Sequence, residues 1–399
     1  MKMKLKSGVN FWVIGLCIWL FLSGCHKSES VQPVIERTVL LYMAADNNLD
    51  ANGYAWKNLE AIKEGMGHVN GRLVIYYDPV YADPVLMTIE NKGGNCVLDT
   101  IEQYPEEDSA SPEVVRRVTR RTQELYPASS YGLIIWSHGT GWLPANASFP
   151  NARAFSVRRG NVPQTKIIGE DEHPGEGQYG DSQMEIAEWK SALPDGYHFI
   201  LFDACFMSAI EVVYELRHKA DYIIASPAEI MADGMPYSKI MPLLWGGEDE
   251  LKQVCREFVN YYENHQWGGE WQSGTIALTR TSKLEDLAEC VREILKGRAE
   301  EVALLSSSEV WRYPLIAYNQ NVFFDLGEYL KQVATTAQYE VFSSLLADMI
   351  YPFFTTKFNG KLFPVDKFSG LSTYIPLRTW QNMNDRYFEL SWPQVVYEK

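Results

Sequence analysis

Two stretches of this chain end an apolar run in side chains that can do chemistry. Leu133-Ile134-Ile135-Trp136 leads into Ser137-His138-Gly139, and Phe199-Ile200-Leu201-Phe202 leads into Asp203-Ala204-Cys205. Short apolar runs bounded by small and polar residues read as buried strands, and in open α/β sheets ligands bind beyond the carboxyl ends of the strands. If both runs belong to one sheet, an imidazole and a thiol meet at its rim. Taken singly, His138 reads as a satisfied polar residue and Cys205 as a small buried hydrophobe. As a pair they mean acyl transfer. The thiolate is the reactive form of cysteine, favoured by a nearby histidine and by a helix N-terminus, and Phe206–Arg217 is expected to supply that helix directly after Cys205. His138 would take the thiol proton and return it to a leaving amine, while backbone N–H groups near Gly139 and Cys205 would hold an oxyanion. Glycine at 139 lets a substrate backbone come close.

The elements that must position these groups follow from periodicity. Val39–Met43, Leu73–Tyr77, Leu133–Trp136, Phe199–Phe202 and Tyr222–Ala225 read as buried strands. Between them, helices are expected over Tyr54–Met66, from Ser111-Pro112 to Glu124, from a capping-box pattern at Ser182-Gln183-Met184-Glu185 to just before Pro194, and over Phe206–Arg217. Such alternation predicts an α/β protein whose mostly parallel sheet is covered on both faces, a three-layer α/β/α sandwich. Leu143 to Gly180 breaks the rhythm with Pro, Gly, Asn and charges and reads as a long exposed loop, functional or cleavable. From about Ser273 the pattern changes to a strand at Thr275–Leu278, a helix near Leu284–Leu295, segments Phe323–Val333 and Phe342–Phe354, and a strand near Leu371–Ile375. A boundary near Gln266–Gly274 divides residues 37–268 from a C-terminal α/β subdomain, 269–399.

Composition narrows the function. The 399 residues carry 51 acidic and 36 basic side chains, a net charge of -15, which is a poor footprint for a phosphate backbone and argues against nucleic acid as a partner. Lys2, Lys4 and Lys6 precede the apolar run Phe11–Leu22, too short to span a membrane comfortably and shaped like an export signal over residues 1–24. Four cysteines remain in the folded part, Cys96, Cys205, Cys255 and Cys290, too few for a disulfide scaffold. The seven histidines lie too far apart for zinc-ligand spacing, so no metal site is read from the sequence. Gly175-Glu176-Gly177-Gln178-Tyr179-Gly180 spells GxGxxG with no strand before it. Asp46, Asn48 and Asp50 copy half a calcium loop, but Ala51 stands where glycine is needed, and the segment reads better as a helix cap.

Leu22-Ser23-Gly24-Cys25 resembles the bacterial lipobox, which implies lipidation of Cys25, a membrane anchor, and a short linker over residues 25–36. Lys27 at the second position after that cysteine favours the outer membrane or the cell surface. At His138-Gly139 and Asp203-Ala204-Cys205 the chain resembles the clostripain-like cysteine peptidases, relatives of caspases, gingipains and legumain. The resemblance extends to Leu40-Leu41-Tyr42-Met43-Ala44-Ala45-Asp46-Asn47-Asn48-Leu49, to Ala225-Ser226-Pro227-Ala228-Glu229 and Gly234-Met235-Pro236-Tyr237, and more weakly to Phe324-Asp325-Leu326-Gly327 and Gly370-Leu371-Ser372-Thr373-Tyr374. It implies a caspase-like sandwich and an endopeptidase acting on protein or peptide substrates, with His138 as general base and Cys205 as nucleophile. It further implies an acidic specificity pocket for Arg or Lys, with Asp203 and Asp233 as its carboxylates, set against the plainer readings of Asp203 as a cap and Asp233 as a turn residue. Some relatives need calcium, and several are cut between histidine and cysteine, where Arg153, Arg158, Arg159 and Lys166 would be self-cleavage points. The alternatives are a surface lipoprotein that binds peptides or glycans without catalysis, and another acyl-transfer enzyme such as an amidase or transpeptidase. Oligomeric state is not legible in the sequence.

Overall fold

The computed structural model describes residues 35–67, 69, 71–92, 95–144, 170–173, 182–268, 271–315, 320–355 and 368–397. The expected signal segment, Cys25, the basic residues at 153, 158, 159 and 166, and the Gly175–Gly180 motif lie outside these residues. Fourteen strands are described: β1 (Ile35–Ala45), β2 (Arg72–Pro79), β3 (Val85–Lys92), β4 (Asn95–Gln103), β5 (Ala128–Trp136), β6 (Glu170–Asp171), β7 (Ser182–Gln183), β8 (Tyr197–Asp203), β9 (Ala220–Ala225), β10 (Thr275–Arg280), β11 (Arg312–Leu315), β12 (Gln320–Asp325), β13 (Ile350–Phe354) and β14 (Ser372–Thr373). Nine form one sheet in the order β13-β10-β9-β8-β5-β1-β2-β3-β4. Its centre is parallel, because β1 pairs with both β2 and β5, β5 with β8, and β8 with β9 in parallel register. Antiparallel pairs flank it on both sides, β3–β4 on one and β10–β13 on the other.

The central strands read as continuous apolar runs because both faces are covered. Val39–Ala45, Leu133–Trp136 and Phe199–Phe202 are all essentially inaccessible to water. Helices pack as two groups: Tyr54–Met66 with Tyr237–Ile240 and Glu248–Glu263 in one, and Pro112–Leu125, Ile186–Ala192, Ile210–Glu215, Leu284–Leu295 and Ser391–Val396 in the other. The expected three-layer sandwich with a mostly parallel sheet is the architecture observed. Tyr54–Met66 has the expected bounds, and Ser111 caps Pro112–Leu125 by accepting the Val114 N–H at 3.3 Å.

Three local readings differ. The helix expected from Ser182 begins at Ile186, because Ser182 is a strand residue paired with Asp171 and its hydroxyl donates to Asp108 at 2.6 Å; Glu185 and Glu188 form the capping box instead. The helix expected from Phe206 begins at Ile210, because Phe206 adopts φ 61°, a left-handed conformation incompatible with a right-handed helix. The boundary expected near 266–274 falls inside one compact unit that takes in the described residues from 35 onward, since β10 and β13 extend the main sheet rather than founding a second one. What the C-terminal part adds of its own is the small sheet β11-β12-β14, joined to the main body where Ser372 N–H donates to Ser208 C=O at 3.0 Å.

Candidate active site

Strands β5 and β8 are neighbours, with Trp136 opposite Asp203. His138 and Cys205 each stand two residues beyond that pair, so parallel register alone carries both to the same rim. They line one cavity of about 20 Å³ together with Asp203, Ile230, Met231 and Gly234. That is room for a single water and not for a peptide side chain.

The histidine loop is tied down on three sides. Ser137 Oγ donates to Ala44 C=O at 3.0 Å and accepts the Glu170 N–H at 3.2 Å, which joins the ends of β5, β1 and β6. His138 Nε2 lies 2.8 Å from Asn48 Oδ1 and 3.6 Å from Glu170 Oε2. An amide oxygen accepts, so this contact gives Nε2 the donor role. Asn48 itself is placed by its neighbour: Asn47 caps the short helix Asn48–Ala51 by accepting the Leu49 N–H at 3.0 Å and donates to Glu170 C=O at 3.1 Å.

Gly139 passes so close to the cysteine loop that a Cβ there would sit 2.5 Å from Cys205 C=O and 2.9 Å from its N. Both are backbone atoms that cannot step aside, so only glycine allows the two loops this approach. The cysteine side is closed in turn by residues 228–235. Phe206 N–H donates to Ala228 C=O at 3.0 Å, and Ile230 N–H reaches Cys205 Sγ at 3.3 Å. Among the described residues both hydrogen bonds of the thiol are to the Ile230 backbone. Burial pushes the thiol well above its ordinary range, the charges of Glu229 and Asp203 push the same way, and the Ile230 N–H opposes them. The surroundings oppose the thiolate expected from sequence: the helix begins four residues late, and the charges that act on the sulfur are negative.

The two acidic candidates part company. Asp203 is buried on the cavity wall, where its Oδ2 accepts the Met235 N–H at 3.1 Å and the Tyr237 hydroxyl at 2.8 Å. Burial raises its carboxyl to about 6 despite those two bonds. Gly234 packs on it at φ 67°, and a Cβ would meet Oδ2 at 2.6 Å. Asp233 faces a different way: Oδ1 takes Lys57 at 2.5 Å, and Oδ2 takes His265 at 2.8 Å and Tyr261 at 3.3 Å. These partners hold it below the usual carboxylate range against the cost of burial. It does not line the cavity, and its charge is already matched.

Sequence reasoning missed Asn48, Glu170 and Glu229. Asn48 lies inside the Leu40–Leu49 motif, where the position after a strand end could have signalled it; Glu170 lies in an aperiodic segment with no such signal. The same rim carries a set of oxygen donors able to hold a cation: carboxylate oxygens of Asp46, Glu106 and Asp171 lie within 4.8 Å of one another. All four cysteines of the folded part are free thiols.

A mostly parallel sheet that carries histidine and cysteine at one rim is the design of the caspase-like peptidases. Residues 41–351 match the clostripain family, and the chain belongs to that family of cysteine peptidases. A crystal structure described as an inactive zymogen C11 protease from Parabacteroides distasonis is 33% identical, with a TM-score of 0.77 over 92% of this chain and 100% of that one. A secreted C11 cysteine protease from Bacteroides thetaiotaomicron, solved with an irreversible peptide inhibitor, is 28% identical, with a TM-score of 0.75 over 91% of this chain and 99% of that one. Clostripain of Hathewaya histolytica is 27% identical over 246 residues, 54% of this chain, which spans 44% of the length of that curated relative.

Proposed function

We propose that the chain is an exported cysteine endopeptidase in which Cys205 is the nucleophile and His138 the general base. The observation that carries this reading is that His138 and Cys205, equally spaced beyond the paired residues Trp136 and Asp203, line one cavity. His138, held through Nε2 by Asn48 and Glu170, takes the thiol proton; the thiolate attacks the peptide carbonyl, and the imidazolium then protonates the leaving amine. Backbone N–H groups of the Gly139 and Cys205 loops are the proposed oxyanion donors. Substrates are proteins or peptides, and Asp203 is the proposed acidic wall for an Arg or Lys side chain; Asp233, paired with Lys57 and hydrogen-bonded to His265, is not given that role. With room for one water and a sulfur whose ionisation burial opposes, the arrangement is a closed precursor form, a reading supported by the likeness to a protein described as an inactive zymogen. Opening requires the Ile230 backbone to leave the sulfur.

Export is supported by the apolar run Phe11–Leu22 and by the likeness to a secreted relative, and a lipid anchor at Cys25 by the lipobox-like sequence. No helix among the described residues is long and apolar enough to cross a membrane. The deciding experiment labels the full chain with a peptidyl electrophile carrying a basic residue, before and after limited proteolysis. Labelling that appears on activation in the wild type and is absent from Cys205→Ala is the expected result; equal labelling of both would remove the nucleophile.

A further inference from the structure

Strand β12, in the small sheet β11-β12-β14, sends one side chain to the back of the candidate site. The Phe323 ring stacks on that of Phe206, with centroids 4.4 Å apart and planes at 16°. It also lies close against the histidine loop, where a Cβ on Gly141 would meet Phe323 Cε1 at 2.9 Å and Phe206 C=O at 2.9 Å. Phe206 directly follows Cys205, and Gly141 stands three residues after His138. One buried ring from a separate sheet thus sits against both loops that carry the reacting groups.

Phe206 needs such support. It is the single non-glycine at positive φ among the described residues. A φ of 61° brings its Cβ against the following carbonyl, and a bulky residue stays there only when its surroundings fix it from several sides. Backbone bonds supply part of this: its N–H donates to Ala228 C=O at 3.0 Å, and its C=O accepts the Ala209 N–H at 3.2 Å. Any residue at this position could make those two bonds. The ring stack depends on Phe323 itself.

Just downstream the chain is pinned to the same C-terminal part. Ser208 Oγ donates to Gly370 C=O at 2.7 Å, and Ser208 C=O accepts the Ser372 N–H at 3.0 Å. Glu211 Oε1 accepts the Thr373 hydroxyl and the Tyr374 N–H, each at 2.9 Å. With Ser208 held, rotation about φ of Phe206 must displace Cys205.

We infer that Phe323 is a positioning residue for Cys205: by holding Phe206 left-handed and bearing on Gly141, it keeps the thiol aimed at the imidazole. Strand register brings the two groups to one rim, and Phe323 sets the turn that points the sulfur. The small sheet serves the chemistry in this way without touching substrate. The inference rests on Cys205 being the nucleophile.

The test follows alkylation of Cys205 in the full chain after limited proteolysis, with a peptidyl electrophile that carries a basic residue, and separates the maximal rate from the half-saturating concentration. Phe323→Leu and Phe323→Met keep the apolar bulk and lose the flat ring, and melting curves establish that each is folded. Both should lower the maximal rate about tenfold or more, because a misplaced nucleophile loses its near-attack geometry. The half-saturating concentration should stay within about twofold, since binding contacts are untouched. Phe206→Gly gives the second readout, because glycine takes positive φ freely. On that background Phe323→Leu should lower the maximal rate by no more than about twofold, as expected for two residues that act through one conformation. A merely structural role would lower the melting temperature and spare the rate of the folded molecules. An unchanged maximal rate in folded Phe323→Leu and Phe323→Met would overturn the inference and leave the nucleophile standing. So would a loss carried by the half-saturating concentration, or one that Phe206→Gly does not reduce. Labelling that Cys205→Ala retains would instead remove the nucleophile, and this inference with it.

Discussion

Asp203→Asn is expected to stabilise the protein in alkaline solution and to cost it a basic-residue preference. The Asp203 carboxyl rises from an ordinary 3.8 to about 6 because burial outweighs its bonds from Met235 and Tyr237. A carboxyl that binds its proton more tightly when folded opposes folding as it ionises. The penalty is small below the unfolded value, grows as pH climbs from about 4 to about 6, and is constant above that range. At about 1.4 kcal/mol for each pKa step, the rise from 3.8 to about 6 amounts to roughly 3 kcal/mol at pH 8 and about 1 kcal/mol at pH 4.5. Asparagine keeps the carbonyl that accepts from Met235 and Tyr237 and never ionises. Urea unfolding of Cys205→Ala and of Cys205→Ala with Asp203→Asn, a pair that cannot digest itself, should therefore differ by about 2 kcal/mol more at pH 8 than at pH 4.5. A difference that is flat with pH, or larger on the acid side, would refute the argument that burial penalises this charge. In the active background the same change should lower kcat/KM for Arg and Lys substrates by roughly thirtyfold, the equivalent of about 2 kcal/mol for a lost partner of a buried cation. Uncharged substrates should be spared.

His138→Ala should cut turnover by roughly 10² to 10⁴-fold in steady-state assays while leaving the melting temperature within a few degrees, as expected for loss of proton transfer. Gly139→Ala should destabilise by about 1–3 kcal/mol and abolish electrophile labelling, since its Cβ meets unyielding Cys205 backbone at 2.5 Å; unaltered melting would mean the loops are looser than described. Asp233→Asn should cost about 1–3 kcal/mol by calorimetry without changing the preferred residue at the cleavage site, because Asp233 pairs with Lys57 and bonds His265 away from the cavity. In Ellman titrations of the closed form, Cys96 and Cys290 should react well before Cys205 and Cys255, which are buried and hold raised thiols. Early loss of one equivalent in the wild type but not in Cys205→Ala would show the sulfur to be open.

The five central strands were legible because burial on both faces leaves an unbroken apolar run, as at Leu133–Trp136 and Phe199–Phe202. The hairpin β3–β4 was not, since β4 is half-exposed and alternates with polar residues. The start of the helix after Cys205 was hidden by one torsion: nothing in the identity of Phe206 announces a left-handed backbone. Histidine and cysteine could be paired from chemistry alone, because strand ends are where such groups serve a ligand. Their partners could not. Asn48 and Glu170 reach His138 from 90 and 32 residues away in sequence, through contacts that only the folded chain creates. Asp203 and Asp233 looked equivalent as letters, and what separates them is which side chains each meets.

The register that sets Trp136 against Asp203 has an evolutionary corollary. Because adjoining rungs of one ladder fix the separation of thiol and imidazole, drift in the outlying hairpin or the last helices leaves their alignment intact. Lineages with this scaffold are free to remodel their periphery while imidazole and thiol stay in calibration, and a single-residue slip between those two strands is the change that would part them.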